Sequence, residues 1–144
     1  VIVSKNLSRW SVAGAAAAIL ALIGCGGQAG PAHFPVSGKV TLNGAPAKEG
    51  SVTFSDASGM TKLVGGIGPD GGYSLMHNRE PGAPLGEYVV TVYVTETAIG
   101  PDGNPQGLPK TISHAKFRDP GTTPLRLQVK EETPPGAYDI AVTN

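Results

Sequence analysis

The chain is short of several residue types, and each shortage excludes something. It holds one cysteine, Cys25, in 144 residues. One thiol makes no internal disulfide, so no disulfide framework supports the fold. Aromatic residues are 6 %, and the one Trp lies at position 10, outside the body of the chain. The cysteine pair and buried Trp of antibody-type domains are therefore missing. Charged residues are 15 % and the net charge is zero. The nearest approach to a basic cluster is Lys110, Lys116 and Arg118 with His114. Phosphate binding needs a more concentrated basic face, so nucleic acid is not an expected partner. No apolar run reaches the roughly 20 residues of a membrane-spanning helix. Nor is there a G-x-S-x-G elbow, a P-loop or a dinucleotide fingerprint.

What is there begins at the amino end. Residues 1–9 carry Lys5 and Arg9 and no acid, and residues 10–23, WSVAGAAAAILALI, are apolar or small. A charged segment, an apolar run of this length and a small residue, Gly24, follow in the order of a secretory signal peptide. Leu22-Ile23-Gly24-Cys25 resembles the lipobox of bacterial lipoproteins. The resemblance implies cleavage between Gly24 and Cys25, diacylglycerol on the Cys25 thiol and acylation of the new amino terminus. An ordinary signal peptide with an incidental cysteine and an uncleaved anchor are the alternatives. The expected location is the cell envelope, with the membrane as a partner through the lipid. Gly26, in place of the aspartate associated with inner-membrane retention in some bacteria, favours the outer membrane. Removing residues 1–24 leaves 9 basic and 11 acidic side chains, a net charge of −2. The remaining length suits one domain.

The 21 Gly and 13 Pro punctuate alternating apolar segments, which marks them as turns between strands. Residues 25–34 read as a small, flexible tether. Val36, Val40 and Leu42 share one face of a strand, as do Val52 and Phe54 of the next. Lys62 to Ile67 is a weaker strand and Tyr73 to Met76 a short one, with 77–85 a loop. Gly86 to Thr95 is the strongest strand, apolar on both faces and so expected at the centre of its sheet. No period fits Glu96 to Arg118, which reads as a long loop, functional or mobile. Leu125 to Lys130 and Ala137 to Val142 are the last two strands. About seven short strands with no helix indicate an all-β chain folded as a two-sheet sandwich over residues 35–144.

Three segments carry a second resemblance. Pro35-Val36-Ser37-Gly38-Lys39-Val40-Thr41-Leu42-Asn43-Gly44-Ala45-Pro46, the turn and strand Asp70-Gly71-Gly72-Tyr73, and Pro84-Leu85-Gly86-Glu87-Tyr88-Val89-Val90 are similar to carboxypeptidase regulatory-like and transthyretin-like domains. The segment Lys116 to Leu125 is similar to small bacterial lipoproteins built on that domain. The resemblance implies a prealbumin-like sandwich of Greek-key type and supplies no catalytic residues to transfer.

Candidate residues are few. Gly44, Gly71 and Gly86 suit backbone positions that disfavour a side chain. Tyr73 and Tyr88 read as core aromatics whose hydroxyls reach loop backbone. Asp70 and Asp102 sit in Pro-Asp-Gly turns, where Asp bonds to nearby backbone, and Asp102-Gly103-Asn104 is only a fragment of a calcium loop. His33 falls in the tether; His77 and His114 are the pair that could converge in space. No metal site, no cofactor and no enzymatic activity are expected. The expectation is a lipid-anchored binding or scaffolding module whose partner is an envelope protein or a glycan. The alternatives are a carbohydrate-binding or adhesion module, disfavoured by scarce aromatics, and a transthyretin-like hydrolase, disfavoured by the lack of a Tyr-Arg-Gly-Ser-type tail.

Overall fold

The computed structural model describes residues 30–144. Among them the chain is all-β, with eleven strands and one short 3-10 turn of helix, η1 (Ala115–Phe117). The strands are β1 (Ser37–Leu42), β2 (Ala45–Pro46), β3 (Gly50–Asp56), β4 (Lys62–Ile67), β5 (Gly72–Ser74) and β6 (Met76–His77). They continue with β7 (Glu80–Pro81), β8 (Gly86–Ile99), β9 (Pro105–Thr111), β10 (Arg126–Val129) and β11 (Ile140–Val142). One hydrogen-bonded path runs through seven of them in the order β10-β8-β3-β4-β5-β1-β11, and β2, β6, β7 and β9 lie off it. All pairings are antiparallel except β1 with β11.

Alternation explains which face is inside. In β4, Leu63, Gly65 and Ile67 are buried while Lys62, Val64 and Gly66 are exposed. Val52 and Phe54 of β3 and Tyr88, Val90, Val92 and Val94 of β8 are buried beside them. Val36, Val40, Leu75, Tyr138, Ile140 and Val142 belong to the same apolar cluster, with Phe54 against the rings of Tyr73 and Tyr88. Its burial supplies the main driving force for folding. β1 changes partner halfway. Ser37–Lys39 pair with β5, and Val40–Leu42 pair with β11.

β8 is an interior strand, second in the order rather than at its centre, with β3 along one edge. Its other edge is shared. Gly86–Val89 pair with β10 and Thr95–Ile99 with β9. The gap between them is closed by two buried hydroxyls. Thr123 Oγ1 donates to the Val90 carbonyl at 2.8 Å. Ser113 Oγ donates to the Val92 carbonyl and accepts from the Val94 amide, both at 3.2 Å. These side chains stand in for strand pairing where no strand runs, since buried backbone groups must be paired.

Three expectations are corrected. Glu96 to Arg118 is not a loop: β8 continues to Ile99 and pairs with β9 as a two-stranded ribbon, followed by η1. Both faces of that ribbon are largely exposed, so its sequence shows no burial period. Residues 77–85 are not all loop, because β6 and β7 form a small hairpin with Asn78 and Arg79 both at positive φ, 49° and 73°. The last strand begins at Ile140 and not at Ala137; the preceding residues are turns.

Candidate functional site

The chain joins the sheet at one end and opens a groove at the other. Phe34 exchanges two backbone hydrogen bonds with Ala83, each 2.9 Å. From there β1 runs to Leu42, roughly 25 Å away at about 3.3 Å per residue. At that far end lies a groove of about 420 Å³. Its floor is apolar: Leu42, Ala47, Val94 and Ile112. β2 closes one side because Ala45 and Pro46 fold back on Leu42 and Thr41. The other side is the start of the β8–β9 ribbon, where β8 leaves β3 after Val94. Glu49, Glu96, Thr97 and Lys48 supply the polar rim, and Thr97 Oγ1 donates to Glu49 Oε1 at 2.7 Å.

The ribbon extends this surface with unusual apolar exposure. Leu108 is 91 % and Ile99 62 % accessible. With Ala98 they border a second depression that also includes Glu96, Thr97 and Lys110. Among the described residues no histidine, serine or cysteine lines either hollow. A floor of this kind can bury an apolar side chain, and the few polar groups of the rim can orient it.

The residues singled out from sequence fall in three groups. Gly24 and Cys25 lie outside the described residues. Gly44, Gly71 and Gly86 all have positive φ, at 84°, 81° and 150°. Asp70 Oδ1 accepts from the Gly72 amide at 3.1 Å, two residues on. Tyr73 and Tyr88 are buried, and their hydroxyls donate to the carbonyls of Tyr138 and Pro84 at 2.6 and 3.0 Å. Burial pushes both phenols up, helped at Tyr73 by the charge of Asp139 and at Tyr88 by that of Asp56. None of these six residues lines the groove at the end of β1. Asp102 is occupied locally: Asn104 donates to both of its carboxylate oxygens, which holds the carboxyl below its ordinary value.

The histidines are arranged differently from the expectation. His114 caps η1, its Nδ1 accepting from the Lys116 amide at 3.1 Å. His77 meets His33, not His114: His33 Nε2 and His77 Nδ1 are 2.6 Å apart. His33 and Phe34 therefore belong to the folded body and not to the tether. Among the described residues no three His, Cys, Asp or Glu side chains form a metal-ligand group, and no helix is long and apolar enough to cross a membrane.

Sequence reasoning missed the ribbon, Ser113 and Thr123. For the ribbon a signal existed in Ile99 and Leu108, apolar residues set among Gly and Pro. For the two hydroxyls there was none, since a buried Ser or Thr reads as any turn residue. Comparison with protein-family models, with curated proteins and with solved structures gives no match to this chain.

Proposed function

We propose that this chain is a lipid-anchored protein of the bacterial cell envelope that acts by binding or scaffolding, not by catalysis. In this reading the fold is a transthyretin-like sandwich. Two observations support it: β1 changes partner from β5 to β11 halfway along, and one apolar cluster draws on β1, β3, β4, β8 and β11. The anchor is Cys25. The observation that carries the proposal is the polarity of the domain. The chain joins at the Phe34 end, and the groove and ribbon lie at the opposite end of β1. Cys25 is eight residues before His33, a reach of at most about 26–29 Å. An anchor there would hold the joining end near the lipid and present the groove outward. The partner favoured by the lining is an apolar segment of another envelope protein. A glycan is less suited, because among the described residues no aromatic ring lines the groove.

Two experiments test the two halves. The intact mass of protein extracted from the membrane fraction should equal residues 25–144 plus acyl chains, and that species should vanish in Cys25→Ala. An unmodified mass would remove the anchor. Crosslinking in intact cells should give a discrete adduct that is lost in Ile99→Asp/Leu108→Asp, a variant that alters only exposed side chains. Adducts unchanged by that variant would remove the groove and ribbon from the proposal.

A further inference from the structure

His33 and His77 are 44 residues apart in sequence and share one point in space. Two backbone features bring them there. The Phe34–Ala83 bridge fixes the residue before it. The β6–β7 hairpin, closed by Asn78 and Arg79, sets His77 opposite Glu80. The two imidazoles present one nitrogen each to the shared point, His33 Nε2 and His77 Nδ1, with their rings tilted by 55°. Their outer nitrogens are both engaged. His33 Nδ1 lies 3.0 Å from Glu80 Oε2, and His77 Nε2 lies 3.3 Å from the Asn78 side-chain amide.

A carboxylate on the far nitrogen of a histidine fixes the tautomer and directs a lone pair from the near nitrogen. That arrangement recurs behind metal-bound histidines. Glu80 therefore turns the lone pair of His33 Nε2 toward His77. A half-turn of the exposed Asn78 amide gives His77 Nε2 an acceptor and frees the Nδ1 lone pair in the same way. We propose that this pair is a binding site for a divalent late first-row transition ion, with His33 Nε2 and His77 Nδ1 as ligands and Glu80 as the positioning residue. Imidazole nitrogen suits Zn²⁺, Ni²⁺ and Cu²⁺ and not Ca²⁺ or Mg²⁺. With metal–nitrogen bonds of about 2.0–2.1 Å in tetrahedral geometry, the nitrogens sit about 3.3 Å apart. The pair needs to open by roughly 0.7 Å, small against the freedom of a side chain on an exposed hairpin. Water completes the coordination, because the hairpin residues Met76, Asn78, Arg79 and Glu80 face solvent. The bound ion would join the segment leading into β1 to the β6–β7 hairpin, at the end of the domain remote from the groove.

The test is titration of the full chain with Ni²⁺ alone at pH 7.5, in a Cys25→Ala background so that no thiol competes. One equivalent is expected to bind and to raise the melting temperature. His33→Ala and His77→Ala should each abolish both effects, and Glu80→Gln should weaken binding about 10- to 100-fold. His114→Ala should change neither. Electron spin resonance of the Cu²⁺ form should show coupling to two imidazole nitrogens, a readout that a folding defect does not imitate. Absence of binding, or binding that survives loss of either histidine, would show that only a proton joins the two rings and would overturn the site.

Discussion

The hydroxyl of Tyr73 donates to the carbonyl of Tyr138 at 2.6 Å, across a sequence separation of 65 residues. The hydroxyl of Tyr138 itself is buried and has no partner among the described residues. The two phenols touch the same junction with opposite balance. Replacing a bonded hydroxyl leaves a carbonyl orphaned; removing an unpaired one relieves a desolvation cost. Tyr73→Phe is expected to destabilise by about 1–2 kcal/mol and Tyr138→Phe to be neutral or stabilising by about 1 kcal/mol. Urea unfolding of the two variants against the wild type measures the difference in sign.

Tyr73 also sets an alkaline limit. Burial, and then the neighbouring Asp139, push its phenol well above the ordinary value of 10.0. The folded state thus keeps a proton that the unfolded chain releases. Stability from this group is complete below pH 10 and falls as pH rises beyond it, by about 1.4 kcal/mol per pH unit until the folded phenol itself ionises. Tyr88 acts in the same direction. Unfolding measured from pH 9 to 12 should show this fall, and Tyr73→Phe should flatten it without removing it.

The hydroxyls of Ser113 and Thr123 close the gap in the edge of β8, so their loss should exceed that of surface hydroxyls. Thr123→Val keeps the shape and strips the donor to the Val90 carbonyl. An unsatisfied buried carbonyl costs about 1–3 kcal/mol. Ser113→Ala removes the partner of both Val92 and Val94 and is expected at the upper end of that range. Thr122→Val, beside them but exposed, should stay within about 0.5 kcal/mol. Melting temperatures of the three variants give the order.

Two turn glycines with nearly the same φ should differ sharply. A methyl group at Gly71 would lie 2.7 Å from the Val40 carbonyl oxygen, whereas one at Gly44 meets nothing within 4 Å. Gly44→Ala carries only left-handed strain, about 1–2 kcal/mol. Gly71→Ala adds a backbone clash and should cost clearly more. Equal stabilities for the two variants would mean the β4–β5 turn is free to rearrange.

Much of the strand pattern was legible because one buried face writes a period of two into the sequence. Val52 and Phe54, then Tyr88, Val90, Val92 and Val94, and then Tyr138, Ile140 and Val142 are all buried, as alternation assigns. β9 was not legible for the converse reason. Pro105 to Lys110 are exposed on both faces, so nothing distinguishes strand from loop there. The β6–β7 hairpin was hidden by its turn, since Asn-Arg lacks the glycine that normally marks two residues at positive φ. The candidate sites depend on long-range pairing. The groove needs β2 folded on β1 and β8 diverging from β3, and the His33–His77 contact needs the Phe34–Ala83 bridge. Of these only the return of β2 onto β1 has a local signature, the Asn43-Gly44 turn with φ of 51° and 84°.

The parallel pairing of β1 with β11 joins Val40 to Ile140 and Leu42 to Val142. The Lys39 amide likewise waits for the Asp139 carboxylate, 100 residues later. One edge of Val40–Leu42, the one that does not carry β2, therefore stays open until Ile140–Val142 are present. Contacts between distant parts of a chain form slowly, because the intervening loop must close before any reward is gained. A chain synthesised from its amino end cannot lock this domain early. It stays an unsealed precursor until Ile140–Val142 emerge, and closing β11 doubles as a check that the domain has arrived to its last strand.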